Sequence, residues 1–401
     1  MKLYFPGAEG PYKSIISGTP VFYDDKKISN NELALLLKFN NNLFKDSIYI
    51  SDLSSIETDV NLTWYAADEG LIDFFNELNS KKLKIIFNGK TLTSEFLKKI
   101  YNTSKIIRNK PQFYNMIKEW GFSSYLTSHE ILAFNNINEF YSSKKFDFPI
   151  IVKSSFGKGG KGNLVCYDDN DFKNCISILN SDFFSQKQEY KESVKESKLI
   201  VEPFILGCRS FNATFFCKND LQENDILISE QDIEEVFYRG NKYFPAEDLK
   251  IRNTMSDVSL LLADKLISNL GYYGWLGIDF LITPNDEIRI LEINPRVNSV
   301  TNGYLVSKGL PFQIKLCKLK DTTVSSSNID ELVMYDGSTG ILPYQISSNL
   351  EFLLISIGQN RSVIEKNYTD LFQKGLVMEV TQRSIENSSK SISYYLENLN
   401  K

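Results

Sequence analysis

Apolar residues recur along this chain with two different periods, and the switching between them sets the first expectations. Short apolar runs at residues 2–5, 47–50 and 83–87 (LKIIF) have the length of strands. Residues 31–39 and 70–78 instead repeat their apolar positions every three to four residues, as helices do. Strands alternating with helices predict an open α/β sheet at the N-terminus. A helix over residues 110–120, stopped by Gly121, follows.

The middle of the chain is richer in strands. Residues 148–153 (FPIIVK) read as a strand, 154–162 (SSFGKGGKG) as a loop and 163–167 as a second strand, before a helix over 171–179. Residues 180–198 are polar and read as a connection. Strands are expected again at 199–205, 210–216 and 225–229. An amphipathic helix over 255–270 ends at Gly271, and a hairpin over 273–293 follows it. From residue 321 a smaller mixed segment is expected, broken at Gly337, Gly340 and Gly358. The pattern is that of an α/β (α+β) protein.

Composition narrows the chemistry more than the fold. The chain has 401 residues, 42% of them hydrophobic, enough for two or three domains with real cores. A net charge of −5 gives no basic field to hold nucleic acid. The sole imidazole, His129, excludes multi-histidine metal sites. It sits in YLTSHEIL with no partner nearby in sequence, which favours a structural role. The five cysteines form no C-x-x-C pair and point to a reduced, cytoplasmic protein. Residues 1–10 lack the apolar stretch of a signal peptide and no apolar run reaches membrane-spanning length.

The hairpin GWLGIDFLITPNDEIRILEINPR is the most informative segment. With a two-residue turn at Asn285-Asp286, Asp279 faces Glu292 and Gly277 faces Asn294. Facing residues have Cβ atoms roughly 4.5–5.5 Å apart, close enough for two carboxylates to repel. Ile278, Phe280, Ile282, Leu291 and Ile293 then form the core face. Hard oxygen donors beside a glycine's gap suit Mg²⁺ completed by phosphate and water, although a solvated polar face gives the same string. The loop Gly157-Lys158-Gly159-Gly160-Lys161-Gly162 matches G-x-G-x-x-G, but a strand follows it where a dinucleotide site needs a helix, and no Walker A closes it. It reads as a cationic flap able to close over polyphosphate, or as a solvated turn. Lys153 ends an apolar strand, where a part-buried ammonium either meets an anion or snorkels to water.

In order, NKPQFYNMIKEWGF, FPIIVKSSFGKGGKGN, LIVEPFILG and GWLGIDFLITPNDEIRILEINPRVN resemble the ATP-grasp superfamily, over about half the chain. The resemblance implies an ATP-grasp fold with an N-terminal open α/β domain at 1–105, a small grasping subdomain with the flap at 106–197, a large subdomain with the hairpin at 198–320, and a C-terminal segment at 321–401. It implies ATP and Mg²⁺, with Mn²⁺ as a substitute. Lys110 and Lys153 match the two phosphate-binding lysines. Ser154, Ser155, Gly157, Gly159, Gly160 and Gly162 match the flap. Glu202, Pro203, Phe204 and Ile205 match the hinge that holds adenine. Asp279, Glu292 and Asn294 match the metal ligands. Arg296, aided by Asn298, matches an arginine that steadies an acyl phosphate or substrate carboxylate, giving Arg296, Lys153 and Asn298 the catalytic roles.

Two positions depart from the pattern. Arg209, counted with the nucleotide-binding residues by its position, stands where many relatives have a glutamate for the ribose, which leaves the ribose contact open, and Gly277 stands where D-alanine ligases have an arginine. The E-x-N-P-R string resembles the carboxylate–amine ligases more closely. The implied activity is phosphorylation of a carboxylate by ATP to an acyl phosphate, then transfer to the amine of an amino acid or small peptide. A bicarbonate-using ligase and a non-catalytic ATP sensor are the alternatives. The expected partners are small molecules, without nucleic acid or membrane, and homodimers are common among such proteins.

Overall fold

The structure is a computed structural model that describes residues 3–4, 21–23, 48–49, 59–62, 69–87, 90–133, 136–143, 146–155, 160, 162–181, 198–307, 309–319, 334–335, 339–346, 351–375, 377–380 and 389–399. The expected helix at 31–39, Gly157 and Gly159 of the flap, and most of the polar connection lie outside the described residues.

Near the N-terminus, β1 (Leu3–Tyr4), β2 (Val21–Tyr23) and β3 (Ile48–Tyr49) form a parallel sheet. A second small sheet joins β4 (Val60–Leu62), β5 (Ile85–Phe87) and β6 (Lys90–Thr91), with α1 (Glu69–Ser80) between its first two strands. The helix α2 (Ser94–Arg108) is not expected from the apolar pattern. Its start is fixed by the Thr93 side chain, which accepts from Phe96 N at 3.2 Å. Asn109 ends α2 and caps α3 (Lys110–Glu119), accepting from Gln112 N at 3.1 Å, with Pro111 in the first turn. Lys110 is thereby held at a rigid helix start.

Two sheets dominate the rest of the chain. The smaller has the order β7-β10-β8-β9, from β7 (Glu130–Ala133), β8 (Ile150–Ser154), β9 (Asn163–Cys166) and β10 (Lys198–Pro203). It packs on α4 (Ile137–Ser143) and α5 (Asp169–Leu179) through Ile137, Phe172, Cys175 and Ile178. The core of this lobe also contains Ile392 and Tyr395 from α9 (Lys390–Leu399).

The larger sheet has ten strands. One part comprises β11 (Arg209–Cys217), β12 (Leu227–Glu234), β13 (Phe237–Tyr243), β14 (Gly274–Ile282) and β15 (Ile288–Asn294). Helix α6 (Leu249–Leu270) lays Met255, Val258, Leu262 and Leu266 on the alternate residues Phe211, Ala213 and Phe215 of β11 and Ile278 and Phe280 of β14. Gly271 ends α6 at φ +64°, its N–H reaching Ile267 O at 2.8 Å while Tyr272 N reaches Leu266 O at 3.1 Å. After α7 (Ser299–Ser307), β16 (Phe312–Leu319) pairs with β13 on one side and β19 (Glu351–Ile357) on the other. The sheet therefore continues past residue 320, through β17 (Met334–Tyr335), β18 (Gly340–Ile346) and β20 (Val377–Glu379), with α8 (Arg361–Gln373) against it.

The hairpin differs in one respect from the sequence expectation. Its connection is five residues, 283–287, not the two-residue turn at Asn285-Asp286, with Thr283 N donating to Glu287 O at 3.0 Å and Asp286 in the left-handed region at φ 60°. Near the turn the strands are paired one residue out of the expected register, as Ile282 faces Ile288 and Phe280 faces Ile290. A bulge at Leu291 restores that register, so Asp279 faces Glu292 and Gly277 faces Asn294 as expected. Ile290, not Leu291, is the buried core residue, and Leu291 turns to the cavity between the two sheets.

Candidate active site

A cavity of about 660 Å³ lies between the two sheets. From the small lobe it receives Ile151, Lys153, Asn163 and Tyr167, and, from the end of β10 and the connection after it, Pro203, Phe204 and Ile205. From the large sheet come Asn212, Asp279, Glu292, Asn294, Arg296 and Asn298. Lys110 reaches it from the start of α3, tied to the small lobe by its own N–H, which donates to Ser155 O at 3.0 Å. Among the described residues no other cavity gathers these groups.

Lys153 projects from β8, whose neighbours place Asn163 and Ile200 beside it. Its ammonium pairs with the Glu202 carboxylate, and both side chains are buried (6% and 3% exposed). Tyr114 OH donates to Glu202 at 3.2 Å, so the buried carboxylate is satisfied twice. Burial foremost, and then the Glu202 charge, push the Tyr114 phenol well above its ordinary pKa, which keeps it a donor.

The opposite wall holds two carboxylates. Lys110 Nζ lies 3.0 Å from Glu292 Oε2. Asn294 Nδ2 donates to Asp279 at 2.8 Å and to Glu292 at 3.1 Å, lying between them. Asn212, paired with Asp279 across the strands, donates to it at 2.6 Å, and Gln231 does so at 3.1 Å. Burial, with the Glu292 charge second, raises the Asp279 carboxyl to about 7. Burial acts on Glu292 in the same direction, but the Lys110 ammonium and the bonds from Lys110 and Asn294 outweigh it and hold Glu292 at about 2. One carboxylate thus stays charged while its neighbour titrates near neutrality.

Two carboxylates and an amide oxygen are hard donors that fit a small divalent cation, leaving positions for phosphate and water. Among the described residues no group of three or more His, Cys, Asp or Glu side chains has metal-binding geometry, so any cation here depends on Asn294 and on a ligand's own oxygens. Gly277 keeps the space beneath this cluster open. A Cβ there would come within 2.5 Å of Asn298 Nδ2 and 3.2 Å of Asn212 Nδ2. Asn298 donates to Asn212 at 3.2 Å and to Thr214 at 2.9 Å, and Arg296 Nη2 donates to Asn294 Oδ1 at 3.2 Å.

Most sequence-predicted site residues therefore share one cavity. Arg209 does not. On β11 the even positions Ser210 and Asn212 face the cavity, and Arg209 points the other way, bonded to Asp248 at 2.6 Å and Glu230 at 3.0 Å over the Phe211 ring. The expectation that Arg209 is a nucleotide-binding residue is corrected accordingly, since it does not line the cavity. Ser154 and Ser155 are buried outside the lining, where Ser155 Oγ donates to Lys198 O at 2.9 Å. Gly160 lines the cavity, while Gly162 N is turned to Tyr395 OH at 2.7 Å. His129 stays outside the lining, with Nδ1 2.8 Å from Thr127 O and its ring edge-on to Tyr114 at 4.7 Å. Sequence reading misses Tyr114, Asn212 and Gln231. Tyr114 is accessible to it, since it lies one helical turn beyond Lys110 on the same face. Asn212 and Gln231 meet Asp279 only through strand pairing that no local signal reports.

Comparison with known proteins bears on the family and the fold. The family described as carbamoyl-phosphate synthase L chain, ATP binding domain, matches residues 110–308. The carbamoyl phosphate synthase large chain of Lachnoclostridium phytofermentans is 25% identical over 199 residues, 47% of this chain and 16% of that protein. The mitochondrial propionyl-CoA carboxylase alpha chain of Caenorhabditis briggsae is 24% identical over 160 residues, 39% of this chain and 20% of that protein. This chain thus spans less than a quarter of the length of either relative. The fold is similar to the ADP complex of N5-carboxyaminoimidazole ribonucleotide synthetase, with a TM-score of 0.60 and 12% identity over 93% of this chain and 97% of that one. It is also similar to a biotin carboxylase–β-γ-ATP complex from Campylobacter jejuni, with a TM-score of 0.59 and 11% identity over 100% and 95% of the two chains. Taken with the two-lobed cavity and the order of its elements, these matches make the chain a member of the ATP-grasp superfamily.

Proposed function

We propose that the chain is an ATP- and Mg²⁺-dependent ligase that activates a carboxylate as an acyl phosphate and passes the acyl group to an amine. The observation that carries this reading is the convergence of Lys110, Lys153, Asp279, Glu292, Asn294 and Arg296 on one cavity between two lobes. The base would lie against Pro203, Phe204 and Ile205, with the phosphates running toward the lysines. Asp279, Glu292 and Asn294 would hold Mg²⁺, which when bound supplies neutralising charge at the phosphate oxygens. Lys153 would give up part of its contact with Glu202 to donate to phosphate, and Lys110 would bridge phosphate and Glu292.

Arg296 would orient the substrate carboxylate, with Asn298 beside it. The carboxylate oxygen attacks the γ-phosphorus, the bond to ADP breaks and an acyl phosphate forms. The amine nitrogen then attacks the acyl carbon, inorganic phosphate leaves, and the amine proton is lost to water. Positioning and charge neutralisation suffice for phosphoryl transfer, so the position of the lone histidine outside the cavity lining is no obstacle.

A second reading is favoured by the relatives, whose names include a carbamoyl phosphate synthase and a propionyl-CoA carboxylase. In it bicarbonate is the carboxylate and carboxyphosphate the activated species. ADP release with Mg²⁺–ATP, measured across amino acids, dipeptides and bicarbonate, separates the two. Release that requires an organic acid and an amine supports the first, and release driven by bicarbonate supports the second. Tight ATP binding with no ADP from any mixture would leave a ligase for a substrate outside the panel, or a sensor.

A further inference from the structure

We propose that α9 is a latch joining the root of the glycine loop to the β12–β13 turn across the cavity, and that Glu235 is the positioning residue on which it closes. Its consequence for nucleotide retention rests on the reading of the cavity as an ATP site.

One side of the latch belongs to the small lobe. Strand β9 is the edge of its sheet, and α9 covers that edge. Tyr395 OH accepts from Gly162 N at 2.7 Å, and Ser391 Oγ accepts from Val165 N at 2.8 Å. Ile392 and Tyr395 are buried in the lobe's core, so this attachment is firm.

The other side combines a polar grip with an apolar one, since Val236 and Phe237 also pack on Ile151 and Val165 of the small lobe. Glu235 sits in the tight turn between β12 and β13 in the left-handed region, at φ 57°. Its carboxylate accepts from Lys390 N at 3.0 Å and Ser391 N at 2.6 Å, in the first turn of α9, where backbone donors have no partner within the helix. Tyr167 OH, from the small lobe, also donates to Glu235. Lys390 Nζ pairs with Glu234, and the Tyr394 ring lies 5.4 Å from Phe237. The same turn touches the glycine loop directly, since a Cβ on Gly160 would lie 1.8 Å from Val236 O. Ser389 and Lys390 thereby become part of the cavity wall, near the end where Tyr167 meets Phe204.

Moving the small lobe away from the large sheet must either pull Ile392 and Tyr395 from their core or release Glu235, together with the Lys390–Glu234 pair and the packing of Val236 and Phe237 on Ile151 and Val165. The second leaves the core of the small lobe intact. Glu235, which holds the backbone of the first turn of α9, therefore contributes to how far the cavity is closed and how long a nucleotide stays in it.

The test uses the full-length chain with Glu235→Ala and, remote from the cavity lining, Tyr395→Phe. Amide hydrogen exchange is followed without ligand, and ADP affinity is measured by calorimetry. In Glu235→Ala, exchange at residues 162–166 and 390–391 should quicken while β14 and β15 are unchanged, and the ADP Kd should rise about tenfold. Tyr395→Phe should move both in the same direction. Unchanged exchange at those amides in both variants overturns the latch. Weaker ADP binding in Glu235→Ala with unchanged exchange also overturns it, because Glu235 would then contact the nucleotide directly. A wild-type protein that binds no ADP, yet shows the quickened exchange in Glu235→Ala, upholds the latch and refutes the nucleotide reading.

Discussion

The cavity has two lysine–glutamate pairs, and their surroundings differ. Lys153 and Glu202 are sealed, with exposures of 6% and 3%, and Glu202 takes a further bond from Tyr114. Lys110 is as buried as Lys153, but Glu292 is 27% exposed and shares its other oxygen with Asn294. The buried pair is fully satisfied within the protein, although both partners border the cavity. The open pair has an accessible carboxylate, which under the proposed function would exchange its bond from Asn294 Nδ2 for a cation. Two pairs of the same residue types can thus border one cavity and differ in how far each depends on its partner, according to whether one of them keeps contact with solvent.

The largest expected effect comes from removing the accessible charge. Glu292→Gln should lower ADP release by about a hundredfold or more with the circular-dichroism spectrum retained, and near-normal turnover would end the metal assignment. Next, the two lysines should differ in stability. Lys153→Ala leaves Glu202 buried without its counter-charge and should cost about 3–5 kcal/mol in denaturant unfolding. Lys110→Ala should cost about 1.5–3 kcal/mol, because Glu292 keeps Asn294 and water. Equal losses would erase the distinction between the pairs. The double variant Lys153→Met, Glu202→Leu should recover most of the first loss.

A smaller effect concerns pH. Asp279 titrates at about 7, above the ordinary carboxylate value of 3.8, so the folded state binds its proton more tightly than the unfolded chain does. Its contribution to stability is present in full below about pH 4 and is lost as pH rises through 7. Glu292, held at about 2, contributes in the opposite sense, and its stabilisation is lost only as pH falls from its ordinary 4.5 toward 2. Between pH 5 and 8 the cation-free protein should therefore lose melting temperature, and Asp279→Asn should flatten that slope. A wild-type slope that survives the substitution assigns it elsewhere. The smallest effect should be that of Arg209→Ala, which breaks a half-exposed ion cluster outside the cavity. It should change stability by about 0.2–1 kcal/mol and leave ADP affinity within about twofold of wild type by calorimetry.

Much of this site is legible because its residues lie on strands whose alternation can be read. Asp279, Glu292 and Asn294 meet as expected, although by a different route, since a longer turn and the bulge at Leu291 offset each other. Spacing from Glu202 puts Arg209 at the ribose, but alternation along β11 turns it to the opposite face. Strand β13 escapes notice because FYRGNKY carries a glycine and two charges where a strand would alternate. Helix α2 is hidden by polar residues on its exposed face. Glu235 and Lys390 are 155 residues apart in sequence, and only the folded chain brings them together.

The coverage of β9 by α9 also bears on how the protein is made. Gly162 and Tyr395 are separated by 233 residues, yet they share a lobe and a hydrogen bond. At roughly 5–20 residues per second, a ribosome needs roughly ten to fifty seconds to add that stretch, during which the edge of β9 and the core around Phe172 wait uncovered. The small lobe cannot mature as a unit when its own strands have emerged, and its assembly instead becomes a late, long-range step in biosynthesis.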